Sequence, residues 1–120
     1  MAIYKSAEDY LERILMLQKE GKKVRSIDIA QSFNYSRASI SRAINNLKND
    51  DFINIDNSGY ISFTEKGLSI AKKMYERHKM LTDLFVSLGV SKDVALEDAC
   101  KIEHDLSEET FNALINHLKK

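Results

Sequence analysis

The chain has 120 residues, of which 43% are hydrophobic, and its 18 basic side chains balance 18 acidic ones. This length suits one compact unit, or two small units that share a core. A charged fraction of 30%, with no apolar run near the roughly 20 residues of a spanning helix, excludes an integral membrane protein. A single cysteine excludes an internal disulfide and, with no apolar signal segment at the start, predicts a cytoplasmic location.

The balanced charge is divided unevenly along the chain. Residues 19–48 contain seven basic and two acidic side chains, whereas residues 83–109 contain two basic and eight acidic ones. A basic first half suits contact with phosphates, and an acidic second half attracts cations. Two ordinary solvated surfaces remain the alternative explanation.

Three helices are predicted in the first half. Ser6, followed by two acids, opens a helix that ends at Gly21. Ser26 is expected to cap a short second helix through Phe33, and Ser36 to start a third. Apolar residues recur at helical spacing in all three.

After the third helix, the spacing of the apolar residues changes. Two β-prone runs, 52–55 and 60–63, flank a turn signal at Asn57-Ser58-Gly59, which predicts a hairpin. The order of helices and hairpin predicts a mostly α protein that begins with a winged helix-turn-helix, over residues 1–64, with a two-stranded wing.

Residues 65–120 are predicted to form a second, helical domain. Thr64 caps a long helix, in which Gly67 is early enough to be tolerated and which Gly89 terminates. A further helix is predicted from Ser91 to about Asp105, and a last one from Ser107 to about Leu118.

The third helix is the predicted DNA-reading helix, because the second helix of such a pair enters the major groove. Its exposed positions carry hydroxyl and guanidinium groups that can contact bases or phosphates. The predicted DNA-binding residues are Lys22, Lys23, Arg25, Tyr35, Ser36, Arg37, Ser39, Ser41 and Arg42. The wing has no lysine or arginine and should contribute little electrostatically. A protein-binding surface, as in a structural adaptor, is the alternative.

The run from Cys100 to His104 places a thiol, a carboxylate (Glu103) and an imidazole at positions i, i+3 and i+4. If the segment is helical, all three lie on one face, and all are metal-ligand types. Asp9 and Glu12 form a second i, i+3 pair on the first helix. Each of these residues also has an ordinary explanation; for Cys100 it is a small buried hydrophobic residue.

Four motifs occur in one order: Tyr10-Leu11-Glu12-Arg13-Ile14, the winged helix-turn-helix, Glu76-Arg77-His78, and the segment 98–104. Together they resemble the diphtheria toxin repressor and manganese transport regulator family of dimeric, metal-activated repressors. The resemblance implies six metal ligands: Asp9, Glu12, His78, Cys100, Glu103 and His104.

The pattern mixes two branches of that family, because Asp9 matches the manganese branch and Cys100 the iron branch. Leu96 and Thr82 stand where the iron branch has ligands of a second site, so that site should be absent or altered. The resemblance implies the short form without an additional C-terminal domain, in which residues 65–120 serve metal binding and dimerisation.

The sequence therefore predicts a metal-dependent repressor, not an enzyme, that controls metal homeostasis. It should bind double-stranded operator DNA as a homodimer when loaded with Mn(II) or Fe(II), with Co(II) or Zn(II) as substitutes in vitro. No membrane and no small organic substrate are expected. The predicted mechanism is that the acids of the first helix and the cluster near position 100 share one cation. A winged-helix regulator without metal, responding to a small ligand or to oxidation of Cys100, remains the alternative.

Overall fold

A computed structural model describes residues 5–33 and 36–119, which form six helices and one two-stranded sheet. In chain order the elements are α1 (Lys5–Lys19), α2 (Ser26–Phe33), α3 (Arg37–Asn49), β1 (Ile53–Ile55), β2 (Ile61–Phe63), α4 (Glu65–Ser87), α5 (Lys92–Ile102) and α6 (Glu108–Leu118). This order confirms a winged helix-turn-helix followed by a helical region. The residues divide into two compact units, one up to Lys72 and one from Lys73, so that the division falls inside α4.

The first unit is built around the helix-turn-helix pair. Helix α2 packs against α3 and α1, and α3 packs against β1. Apolar side chains at helical and strand spacing form the core. The largest of the almost fully buried side chains in this unit are Leu11, Ile14, Val24, Ile29, Ile40, Ile44 and Ile53.

The wing is an antiparallel hairpin in which Ile53 lies opposite Phe63 and Ile55 opposite Ile61. The side chain of Asp56 accepts hydrogen bonds from the backbone N–H groups of Ser58 and Tyr60, each at 2.9 Å. An aspartate in this role mimics a backbone turn. The turn predicted at residues 57–59 is therefore present, and the residue before it organises it.

Side-chain hydrogen bonds at the N-termini of α2 and α3 explain where both helices begin. Ser36 is the N-cap of α3, because its Oγ accepts the N–H of Ser39 at 3.2 Å, as predicted. For α2 the predicted cap is wrong: the helix already includes Ser26, and the carboxylate of Asp28 accepts the N–H of Arg25 at 2.9 Å. This bond is one half of a capping box.

Helix α3 ends in a left-handed residue that is not glycine. Asp51 has φ of 66°. The N–H of Asp51 donates to the carbonyl of Lys48 at 3.1 Å, and the N–H of Phe52 donates to that of Leu47 at 3.0 Å. This is the Schellman pattern, in which glycine usually occupies the position of Asp51.

Helix α4 begins as predicted, because Thr64 Oγ1 accepts the N–H of Gly67 at 3.1 Å and donates to the carbonyl of Asp51 at 2.7 Å. The prediction that Gly67 is merely tolerated is wrong. A Cβ atom at this position would lie 1.9 Å from the carbonyl oxygen of Phe52. The close approach of α4 to this backbone therefore requires glycine.

The second unit contains most of α4 together with α5 and α6. Ser107 caps α6, since its Oγ accepts the N–H of Thr110 at 3.1 Å. Helix α5 ends at Ile102, three residues earlier than predicted, although Glu103 keeps helical backbone angles. None of the helices in the described ranges has an apolar stretch long enough to cross a membrane.

Candidate metal centre and DNA-binding surface

The two acids of α1 lie on one side of the helix, as their i, i+3 spacing predicts. A carboxylate oxygen of Asp9 and one of Glu12 lie within 4.8 Å of each other. Asp9 is half-buried, and Glu12 is only 5% exposed. Since acidic side chains are rarely buried without a compensating charge or ligand, Glu12 is not an ordinary surface charge.

A second set of ligand-type atoms surrounds Glu103, directly after α5. The Glu103 side chain is fully buried. Its Oε2 lies 2.9 Å from Nδ1 of His78 on α4, and its Oε1 lies 3.3 Å from Nε2 of His104. The imidazoles are also largely shielded, with 14% exposure for His78 and 1% for His104. Within the second unit, three of the predicted ligands are therefore adjacent.

Helix α5 stops at Ile102, and both Glu103 and His104 lie in the turn that follows, although Glu103 keeps helical backbone angles and donates its N–H to the carbonyl of Ala99. Cys100 remains within α5 and is exposed. It is therefore not the small buried hydrophobic residue of the ordinary explanation. Whether its thiol is a ligand stays a prediction.

Two positions matched to the second site of the iron branch have other surroundings. The Oγ1 of Thr82 donates to the carbonyl oxygen of His78, one turn earlier on α4, at 2.7 Å. Leu96 is 37% exposed on α5. An apolar side chain cannot ligate, and this hydroxyl is used within its own helix.

One buried side chain of this region was missed by the sequence analysis. Arg77 is 3% exposed, and its Nη1 donates to the backbone carbonyls of Glu103 and Leu106. The sequence motif did contain Arg77, immediately before a predicted ligand, but an arginine in a helix is usually solvated.

The exposed side of α3 carries the predicted base-reading residues. Arg37, Ser39, Ser41 and Arg42 are all exposed on this helix. The hydroxyl of Ser36 is occupied by the cap and also lies 2.9 Å from that of Ser39. Tyr35, another predicted DNA-binding residue, lies outside the described residues.

The loop before α2 supplies further basic groups. Lys22, Lys23 and Arg25 are exposed there, as a phosphate contact requires. The guanidinium carbon of Arg25 lies 4.3 Å from the ring centroid of Tyr60, beside the turn of the wing, and Nζ of Lys23 lies 5.5 Å from it. These are cation–π distances. The wing has no lysine or arginine of its own, but its Tyr60 ring contacts the cations of the loop. The sequence alone did not indicate this contact.

The comparisons with known proteins agree with this arrangement. Residues 2–61 match the profile described as "Iron dependent repressor, N-terminal DNA binding domain", and residues 64–120 match "Iron dependent repressor, metal binding and dimerisation domain". An uncharacterized HTH-type transcriptional regulator of Methanocaldococcus jannaschii is 33% identical over 117 residues, which is 96% of this chain and 94% of the relative.

Two further proteins extend the comparison. The HTH-type transcriptional regulator MntR of Shouchella clausii is 31% identical over 109 residues, covering 91% of this chain and 76% of that protein. The structure of the manganese regulator SloR superposes with a TM-score of 0.81 at 27% identity, covering 99% of this chain. This chain spans about half of the SloR chain, 55% of its length.

Both profiles, the relatives and the observed order of elements point the same way, and they confirm the family predicted from the four sequence motifs. The chain belongs to the iron dependent repressor family of metal-dependent transcriptional regulators, and it is therefore not an enzyme.

Proposed function

We propose that this family member represses transcription by binding double-stranded operator DNA as a homodimer when it is loaded with Mn(II) or Fe(II). Its physiological role would be the control of metal homeostasis. The observation that carries the proposal is the buried carboxylate of Glu103 between the imidazoles of His78 and His104. Buried charged groups are paired or coordinate metals, and imidazole is itself a common metal ligand.

The proposed ligand set joins this cluster to the acids of α1. It comprises Asp9, Glu12, His78, Cys100, Glu103 and His104. Three carboxylates and two imidazoles suit Mn(II) and Fe(II), whereas the thiolate would favour thiophilic ions such as Fe(II) or Zn(II). The name of SloR as a manganese regulator supports Mn(II) as the first ion to test.

Charge explains how the ligand set can control DNA binding. Without a cation, the carboxylates and the thiolate repel one another or retain protons. A bound divalent cation supplies the neutralising charge. Asp9 and Glu12 can then hold α1 together with the ligands of the second unit, which shifts the population towards one arrangement. In a two-fold dimer, this arrangement would hold the two α3 helices about 34 Å apart, one turn of DNA.

Exposed apolar side chains of the second unit support the homodimer. Leu88 is 72% exposed, Val94 47% and Leu118 45%. Leu118 also lines a surface pocket with Met80 and Leu84, and an apolar patch of this kind marks an interaction site. The matched domain description also includes dimerisation. Sedimentation equilibrium that finds only monomers at micromolar concentration would contradict this part of the proposal.

The regulator without metal is less well supported. It does not account for the match of residues 64–120 to a metal-binding domain. Metal analysis of the purified protein separates the two proposals directly.

The main experiment selects a DNA duplex from a random pool with the Mn(II)-loaded protein, and then measures its affinity with Mn(II) and with chelator. We expect binding to weaken by about 10-fold to 100-fold in chelator, within the usual range of allosteric coupling. Equal affinity in both conditions would reject metal control, and failure to enrich any duplex would reject DNA binding.

Two variants test the division of labour between the units. Glu103→Gln should abolish metal activation while the protein stays folded, and Glu97→Gln, at an exposed position of α5, should leave activation unchanged. Arg42→Ala should weaken DNA binding about 10-fold to 100-fold, the value of a good base or phosphate contact. A large loss of metal affinity in Arg42→Ala would contradict the proposal.

A further inference from the structure

Arg77 is the most deeply buried lysine or arginine among the described residues, and it directly precedes His78 on α4. A guanidinium keeps its charge at any ordinary pH. Burying that charge is costly unless hydrogen bonds and favourable dipoles replace water. Interactions within this unit must therefore offset the cost of burying the charge of Arg77.

The hydrogen bonds of Arg77 are among these interactions. Its Nη1 donates to the carbonyl oxygen of Glu103 at 3.0 Å and to that of Leu106 at 2.6 Å. The last carbonyls of a helix have no partner within the helix, and the C-terminal end carries partial negative charge. The Arg77 side chain thus acts as a cationic cap for the end of α5 and for the turn that follows.

The other side of the guanidinium rests against α6. Its central carbon lies 5.0 Å from the ring centroid of Phe111, which is buried. A planar cation over an aromatic face gains cation–π and packing energy that an ammonium group only partly reproduces. Arg77 therefore fixes three segments of the second unit relative to one another: α4, the end of α5 and the start of α6.

Glu103 is held at two points by neighbouring residues of α4. Arg77 binds its main-chain carbonyl, and His78 contacts its carboxylate at 2.9 Å. Fixing the main chain restricts the directions that the Glu103 side chain can take. The same restraint applies to His104, whose peptide bond begins at the carbonyl that Arg77 binds.

We propose that Arg77 is a positioning residue of the metal centre, which holds the Glu103–Leu106 turn so that the Glu103 and His104 side chains are set for ligation before a cation binds. The inference rests on the proposed function, because it assumes that these two residues are ligands. Partners that orient metal ligands contribute about 10-fold to 100-fold to metal affinity.

The experiment compares four full-length proteins: the wild type, Arg77→Met, Arg77→Lys and Lys72→Met. Arg77→Met keeps the apolar stem but removes the charge and the donors. Lys72→Met is the matched control, because it removes a charge from an exposed position of the same helix. The measurements are Co(II) affinity under anaerobic conditions, the visible absorption spectrum of the Co(II) complex, and thermal unfolding of the metal-free protein.

We expect Arg77→Met to bind Co(II) about 10-fold to 100-fold more weakly than the wild type, with an altered Co(II) spectrum. Arg77→Lys should lose less affinity, about 3-fold to 10-fold, because it keeps a charged donor but not the flat contact with Phe111. Lys72→Met should match the wild type in affinity and spectrum.

The spectrum separates positioning from general stability. If Arg77 serves stability alone, Arg77→Met lowers the unfolding temperature while its folded fraction binds Co(II) with the wild-type affinity and spectrum, and this result overturns the inference. If Arg77→Met does not fold, wild-type affinity and spectrum in Arg77→Lys overturn it. Failure of the wild type itself to bind Co(II), Mn(II) or Fe(II) rejects the proposed metal function and, with it, the role of Arg77.

Discussion

The Nδ1 atom of His78 lies 2.9 Å from Oε2 of Glu103, across 25 residues of sequence. If the Glu103 carboxylate is ionised and the His78 imidazole is neutral, the carboxylate accepts the Nδ1–H in this contact, and the lone pair of the ring is on Nε2. A histidine whose second nitrogen is bonded to a carboxylate is the usual form of a metal-ligating histidine. In the proposed ligand set, this contact would orient both His78 and Glu103 for ligation.

Replacing His78 by alanine tests this contact. We expect Mn(II) affinity to fall by at least 10-fold, because the variant loses both a ligand and the group that orients Glu103. Anaerobic competition with a chelating dye measures this affinity. His117→Ala is the matched control, since it removes an exposed histidine of α6 and should leave the affinity unchanged. Equal affinities for His78→Ala and the wild type would place the ion elsewhere.

The order of elements could be predicted from the sequence because local signals agree with the fold. Apolar periodicity gives the helices, and the two short β-prone runs give the wing. The caps at Ser36, Thr64 and Ser107 were also recognisable, because each serine or threonine precedes a helical pattern. Consistency between local and tertiary preferences makes such predictions possible.

Other features depend on contacts between distant segments, which one sequence does not reveal. Gly67 is required by the backbone of Phe52, 15 residues earlier, rather than by its own helix. The end of α5 at Ile102 is coupled to the hydrogen bonds that Arg77 makes from α4. In both cases tertiary packing decides the structure, whereas local propensity suggested a tolerated glycine and a longer helix.

Substituting Gly67 by alanine should destabilise the protein. Alanine favours a helix interior by about 1 kcal/mol, but the added Cβ would lie 1.9 Å from the Phe52 carbonyl oxygen. Because that oxygen belongs to the backbone, it cannot move away cheaply, and we expect a net loss of about 1–3 kcal/mol. Urea denaturation measures the change. Ser69→Ala, at an exposed position of the same helix, should stay within about 0.5 kcal/mol. Unchanged or increased stability in Gly67→Ala would contradict the close approach.

Substituting Asp51 by glycine should have the opposite effect. The left-handed conformation at φ of 66° costs an L-residue about 1–2 kcal/mol, though aspartate tolerates it better than most. Glycine removes this strain but also gains freedom in the unfolded chain. We therefore expect a net stabilisation of about 0.5–1 kcal/mol in urea denaturation. Asp50→Gly is the control, because Asp50 has φ of −85° and should only lose stability. Destabilisation by Asp51→Gly would mean that the carboxylate has a role of its own.

The ion pair between Lys73 of α4 and Glu108 of α6 gives a prediction for pH dependence. The hydrogen bond and the charge of Lys73, in that order, hold the pKa of Glu108 below 4.5, and Arg77 adds a smaller effect of the same sign. Since the folded-state pKa is depressed, the pair stabilises the protein above the unfolded-state pKa, and this contribution is lost as the pH falls through the folded-state pKa.

Lys73→Met should raise the pKa of Glu108 towards 4.5 and remove this part of the acid sensitivity. Carbon-13 NMR of the Glu108 carboxyl group measures the pKa directly, and Lys72→Met should leave it unchanged. If the pKa of Glu108 is the same in Lys73→Met and the wild type, the ion pair does not persist in solution. Added salt would then have no ion pair to weaken at this contact between α4 and α6.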